Sequence, residues 1–192
     1  MSGATSEGAM SPAESAASAP APRWVRPAGA EPAWEGLPVS YEDVEAARET
    51  LRGVSEVSPL QLSRSLSRAV GTDVHLKCEN LQRAGSFKIR GAYVRMAGLS
   101  EEERARGVVA ASAGNHAQGV ALAAAKLGIS ARIYMPRGVA LPKLQATKDH
   151  GAEVVLHGST VDESLAEAQR WAAETGACLL YTSDAADEED SV

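Results

Sequence analysis

Residues 107–136 read GVVAASAGNHAQGVALAAAKLGISARIYMP. GVVAAS, 107–112, is an apolar run of strand length with no polar alternation, as expected for a strand buried on both faces. NHAQGVALAAAKLG, 115–128, repeats its apolar residues at helical intervals and stops at Gly128. ARIYMP, 131–136, is apolar over strand length again. A strand, a helix and a second strand in direct succession make a βαβ unit, which implies a parallel sheet with a right-handed crossover. The alanines make the helix narrow enough to lie close on that sheet.

The alternation continues in both directions. Downstream, LPKLQATKDHG (141–151) reads as a helix, AEVVLHG (152–158) as a strand and VDESLAEAQRWAAETG (161–176) as a helix closed by Gly176. Lys143 and Lys148 fall on the polar face of the first of these. Upstream, FKIRGAYVRMAGL (87–99) places Ile89, Tyr93, Met96 and Leu99 on one side of a helix, and VHLKCE (74–79) has strand character. Ser40 before YEDVEAARETLRG, with Asp43 three residues on, has the spacing of a capping box, and Gly53 ends that helix. SPLQLSRSLSRAVG suggests a turn at Ser58-Pro59 and a short amphipathic helix ended by Gly71. Glu101, Glu102 and Glu103 read as a solvated helix start. The fold class expected is α/β, built from parallel-sheet βαβ units, with no internal sequence repeat.

The chain has 192 residues, 44% apolar and 23% charged, the balance of an ordinary globular protein, with only 4% aromatic. Five acids, Asp184, Asp187, Glu188, Glu189 and Asp190, crowd the last nine residues, and removing them from the formal charge of −6 leaves −1. A near-neutral body argues against nucleic acid or an anionic membrane as the main partner. No run approaches the roughly 18–20 apolar residues of a membrane span, and the start lacks the basic and apolar regions of a secretory signal. Cys78 and Cys178 are far apart, with neither CxxC nor metal-ligand spacing, so no metal site is expected and a reduced, cytoplasmic setting fits. Residues 1–37, rich in Ala, Ser and Pro, read as a disordered extension; 38–177 carry the folded pattern; 178–192 read as a tail.

Two loops could carry chemistry, since ligands of α/β sheets sit where strand ends meet helix N-termini. In ASAGNHAQG, 111–119, Ser112 can cap the helix, Gly114 allows close backbone approach, and Asn115 and His116 add side-chain donors. Spacing alone leaves two readings open, an anion cradle or an ordinary capped helix start. The loop lacks the third glycine and following acid of a dinucleotide fingerprint and is not a GxxxxGK[ST] phosphate loop. The second loop, GSFKIRG (85–91), puts Lys88 in the first turn of a helix, against the macrodipole, beside the sole Phe, Phe87. Composition by itself favours solvated charges for Lys88 and Arg90. His75, His150 and His157 show no pairing pattern.

KCENLQRAGSFKIRGA (77–92), ASAGNHAQGVA (111–121) and the MP…LPK pattern (135–143), in that order, resemble the threonine dehydratases. These are threonine ammonia-lyases, pyridoxal-phosphate enzymes of fold type II, the tryptophan synthase β-like group; the resemblance runs from about Val39 to about Gly176. It implies that Lys88 forms the Schiff base with pyridoxal 5'-phosphate and takes the α-proton, in a pocket that favours a neutral amine. It further implies that Phe87 packs near the cofactor ring and that Asn115 bonds its phenolic oxygen. Ser112, Ala113, Gly114, Asn115 and His116 would hold the substrate carboxylate. The reaction implied is β-elimination of threonine or serine to a 2-oxo acid and ammonia, in threonine catabolism or isoleucine biosynthesis, by a homo-oligomer.

Serine racemases share SFKIRG and are the alternative of the same fold. In that group a second serine follows the first of the carboxylate loop and exchanges a proton opposite the lysine. Here that position is Ala113, whose methyl group can neither donate nor accept a proton. Past ETGA (174–177) the resemblance implies a Pro- and Asp-containing segment and a Gly-rich phosphate loop. The sequence instead reads CLLYTSDAADEEDSV, similar to translated adapter read-through, so 178–192 are expected to be non-native. Two further readings follow, a non-catalytic N-terminal fragment of a larger enzyme and a generic α/β binding module.

Overall fold

The computed structural model describes residues 39–181, so the extension expected over 1–37 and the acidic end of the chain lie outside the described residues. From Tyr41 the chain belongs to one unit. Its centre is a parallel sheet of β3 (Val108–Ala111), β4 (Ala131–Met135), β5 (Glu153–Leu156) and β6 (Cys178–Leu179), in the spatial order β5-β4-β3-β6. β4 pairs with β3 through Val108↔Ala131 to Ala111↔Tyr134, and β6 pairs with β3 on its other edge through Val108↔Cys178 and Val109↔Leu179. The βαβ reading of 107–136 is thus the middle of the sheet.

The period-2 geometry of a strand divides the apolar run of β3 between two cores. Val108 and Ala110, with Ile133 and Met135 of β4, face α5 (Asn115–Leu127) and α3 (Lys88–Ala97). Val109 and Tyr134 face α7 (Val161–Thr175), which presents Ala168. α6 (Leu141–Asp149) packs against α5 and β5. α5 buries Ala117, Val120, Ala121, Ala123 and Ala124, and its small side chains bring it close to the sheet, as the composition implied. Gly128, at φ 67°, returns its N–H to the Ala124 carbonyl and closes the helix.

The region before α3 departs from the expected pattern. α1 (Tyr41–Thr50) and α2 (Arg64–Val70) form as read, the latter capped by Ser63 and Gly71, but Leu60–Leu62 is a strand, β1, where a turn and helix start were expected. It pairs antiparallel with β2 (His75–Lys77), so the 74–79 strand joins a separate two-stranded sheet and not the parallel one. The strands run antiparallel, with α2 and its two flanking turns returning the chain beside β1. Glu101–Arg106 forms α4, with a complete capping box between Ser100 and Glu103.

Past Gly176 the chain returns to the sheet: Cys178 and Leu179 pair with β3, and Leu180 is 5% exposed and belongs to the core under α5. CLL follows a helix-ending glycine, and its apolar side chains are what a strand beside β3 requires.

Candidate active site

The strand order reverses between β3 and β6. The carboxyl ends of these two strands therefore form the topological switch point, where open α/β sheets bind ligands. A cavity of about 540 Å³ lies there, lined by Phe87, Lys88, Arg95, His116, Leu180 and Tyr181 among others. It brings together two motifs lying 28 positions apart in the sequence, Lys88 from GSFKIRG and His116 from ASAGNHAQG.

Lys88 is the first residue of α3 and only 8% exposed, so the solvated-charge reading is corrected. Its Nζ stands 5.1 Å from the centroid of the Phe87 ring, a cation–π contact. The backbone at Lys88 meets α5 at Gly119: a Cβ on that glycine would stand 3.0 Å from the Lys88 carbonyl carbon and 3.1 Å from the Lys88 Cβ. Close approach of two helices at a glycine thus buries the lysine. Nothing in the spacing of ASAGNHAQG singles out Gly119; the signal was the glycine inside an otherwise alanine-rich helix. A lysine buried at a helix start is an unusual placement, and a site that uses an amine accounts for it.

The 112–114 loop is arranged differently from the expectation. The N-cap of α5 is Gly114, not Ser112. Ser112 is buried; its N–H donates to the Tyr134 carbonyl at 3.1 Å, and its Oγ accepts the Gly114 N–H at 3.1 Å. Ser112 is used up in shaping the turn because its backbone still belongs to the sheet edge, two residues short of the helix. A glycine N-cap adds no side-chain oxygen to the first amides of α5, an arrangement that suits an external anion. Ser112, Ala113, Gly114 and Asn115 do not line the cavity. His116 does: it is 5% exposed, and its Nε2 lies 3.5 Å from the Leu180 carbonyl.

Arg90, expected to be solvated, is instead paired. Its Nε and Nη2 donate to the two Glu79 carboxylate oxygens at 2.7 and 2.9 Å. The hydrogen bonds from Arg90, aided by the Ser58 hydroxyl against the opposing effect of burial, hold the Glu79 carboxyl down at about 2. The signal was in the quoted motif: Glu79 and Arg90 stand near its two ends, one acid and one base.

The cavity, the buried amine on its wall, the aromatic ring beside that amine and the glycine-capped helix start fit an aromatic aldehyde cofactor that is attached through a lysine. Fold and site together define a fold type II α/β protein with a buried lysine on the wall of the cavity at its switch point. A family model described as "Pyridoxal-phosphate dependent enzyme" matches residues 52–189. The chain belongs to that family, whose cofactor is pyridoxal phosphate.

Among its relatives, the L-threonine ammonia-lyase of Thermotoga maritima is 52% identical over 143 residues, covering 74% of this chain and 36% of that protein. Of solved structures, a processed threonine deaminase isoform 2 from Solanum lycopersicum matches with a TM-score of 0.66 and 38% identity over 74% of this chain and 41% of that one. Maize serine racemase matches with a TM-score of 0.68 and 34% identity over 73% of this chain and 43% of that one. The chain thus spans 36% of the length of the Thermotoga relative. Among the described residues, no helix is long and apolar enough to cross a membrane.

Proposed function

We propose that this chain is the N-terminal part of the catalytic domain of an ammonia-lyase acting on L-threonine, and on L-serine, and that the complete gene product converts them to 2-oxobutanoate and pyruvate with ammonia. The observation that carries the proposal is the buried Lys88 amine beside Phe87 in the cavity at the β3–β6 switch point. The 52% identity to a threonine ammonia-lyase supports the substrate class.

Pyridoxal phosphate, when bound, supplies an electron sink that stabilises negative charge developing at the α-carbon of an amino acid. Lys88 Nζ would hold the cofactor before substrate arrives and would then be placed to take the α-proton. Phe87 would pack near the cofactor ring, and Asn115, at the start of α5 beside the cavity, would hydrogen-bond its phenolic oxygen. The loop Ser112, Ala113, Gly114, Asn115 and His116 would orient the substrate carboxylate at the positive end of α5, with Ser112 shaping the turn. Departure of the β-hydroxyl as water leaves an unsaturated amine, and water then hydrolyses it to the 2-oxo acid and ammonia.

A second reading is racemisation, favoured by the structural similarity to maize serine racemase. Ala113 opposes it. Racemisation needs a second proton carrier on the face opposite Lys88, and a methyl group cannot serve.

The test is borohydride reduction of the complete gene product with its cofactor, followed by peptide mass analysis, together with ammonia and D-serine assays. The expected result is a single adduct at Lys88, its loss in Lys88→Ala with loss of ammonia release, and elimination of L-serine faster than D-serine formation. The 192 residues alone are expected to release little or no ammonia. An adduct on another lysine overturns the site, and racemisation as fast as elimination overturns the reaction.

A further inference from the structure

The loop that delivers Lys88 has little structure of its own. Between Gln82 and Lys88 the chain passes through a short 3-10 turn, Arg83–Gly85, in which Ala84 has φ 62°. Ala84 is the sole non-glycine with positive φ among the described residues, a conformation costing about 1 kcal/mol or more. Phe87, before the first turn of α3, makes no side-chain cap. Within the loop Ser86 Oγ accepts the Lys88 N–H at 3.4 Å and the Gln82 carbonyl accepts the Gly85 N–H at 2.9 Å; contacts from outside the loop also hold the lysine in place.

Two sets of polar contacts do so, and both run to the segment 55–58 that follows α1. The Gln82 side chain donates to the Glu56 carbonyl at 2.9 Å and accepts the Glu56 N–H at 2.7 Å, bridging one backbone to the other. Arg90 forms its two-pronged pair with Glu79 and also donates to Ser55 Oγ at 3.2 Å. Glu79 in turn accepts from the Ser58 hydroxyl, and Lys77 Nζ donates to the Ser58 carbonyl at 2.5 Å. Gln82 is 4% exposed, and the Glu79 side chain 17%.

Arg90 is two residues beyond Lys88, about 200° around the helix axis; part of it also lines the cavity, but its guanidinium is turned to Glu79. On the Lys88 side the first turn of α3 rests on Gly119 of α5. On the Arg90 side it is tied to Glu79. We infer that Glu79 and Arg90 are positioning residues for the cofactor-binding lysine: their ion pair sets the entry and rotation of α3 so that the Lys88 amine faces the cavity. A fork of two parallel hydrogen bonds fixes orientation as well as distance, which a lysine in place of Arg90 would not do. This inference rests on the assignment of Lys88 made above.

The test uses the complete gene product and pyridoxal phosphate as the probe. Cofactor is stripped, added back, and reduced at timed intervals with borohydride, and the fraction of chains carrying the adduct at Lys88 is read by peptide mass; melting temperature is followed in parallel. Glu79→Gln, Arg90→Gln and the double variant form a cycle, with Arg90→Lys as the charge-conserving member. The expected result is a roughly tenfold slower attachment at Lys88 in each single variant, no further slowing in the double, and no rescue by Arg90→Lys. Arg83→Gln loses the neighbouring Arg83–Glu56 pair and serves as a control expected to attach at the parent rate. Attachment at the parent rate in Glu79→Gln and Arg90→Lys overturns the inference. Slowing in Arg83→Gln as large as in Arg90→Gln also overturns it, because any lost surface pair would then do the same. Failure of the parent to carry the adduct at Lys88 instead removes the assignment on which the inference rests. Should Arg90→Gln fail to fold, Arg90→Lys and Glu79→Gln carry the comparison.

Discussion

Gly119 occupies the point where α5 crosses the first turn of α3. A methyl group there would press on the Lys88 carbonyl carbon at 3.0 Å and the Ile89 nitrogen at 3.1 Å, both backbone atoms of a helix that cannot turn aside as a side chain can. Gly119→Ala is therefore expected to destabilise by about 1–3 kcal/mol, in the range of overpacked contacts, and to slow cofactor attachment at Lys88. Gly138→Ala, with nothing within 4 Å of its added carbon, is the control expected to leave both unchanged. Melting temperature and the timed borohydride reduction read the two effects. Lys88 and His116 were legible as residue types, because both lie in motifs that place donors at helix starts. Gly119 was not, since its role depends on which helix crosses it.

Among the elements, α3 carries a glycine in its interior. Gly91 lies in the fourth helical position, and a Cβ there would meet nothing within 4 Å. Helix propensity alone then predicts that Gly91→Ala stabilises the fold by about 0.5–1 kcal/mol, seen as a higher melting temperature. The glycine lines the cavity, where an added methyl group would take up space. The same element shows why boundaries were harder to read than existence. Ile89 and Met96, both 0% exposed, mark the apolar face that made α3 visible as a helix. Its start at Lys88 is set by the contacts of Glu79, Arg90 and Gly119 around it. β1 was missed for a similar reason: Leu60–Leu62 is three residues long and exposed throughout, so no burial pattern marked it.

At the scale of the whole molecule, the Glu79–Arg90 pair joins the segment after α1, the start of the 79–81 turn and the helix bearing Lys88. Glu79 is held at about 2, below its ordinary 4.5, by the Arg90 hydrogen bonds. A carboxyl with a depressed value in the folded state contributes stability above its ordinary value, and that stability is lost as pH falls from 4.5 through 2. The loss is at most about 3 kcal/mol and nearer 1, because Arg90 is 33% exposed and solvent screens the pair. Glu103 and Glu163, lowered mainly by the Ser100 and Ser159 backbone N–H groups, shift stability in the same direction. Acid unfolding followed by circular dichroism should become shallower between pH 4.5 and 2 in Glu79→Gln.

The sequence by itself determined the parallel α/β core, because a strand buried on both faces and a helix with one apolar side leave periodic patterns that no distant contact is needed to read. It also offered residue types that could do chemistry, a lysine in a first turn, where the helix dipole disfavours it, and donors at the start of an α/β helix. Only the tertiary structure decided that Lys88 is buried, that Arg90 is paired, and that Ser112 shapes the turn while Gly114 caps the helix. It also decided that the cavity lies between β3 and β6, which bring Lys88, His116 and Leu180 together across 92 positions. The physical reason is that burial, pairing and the order of strands are set by partners remote in the chain, and no local window contains both partners at once.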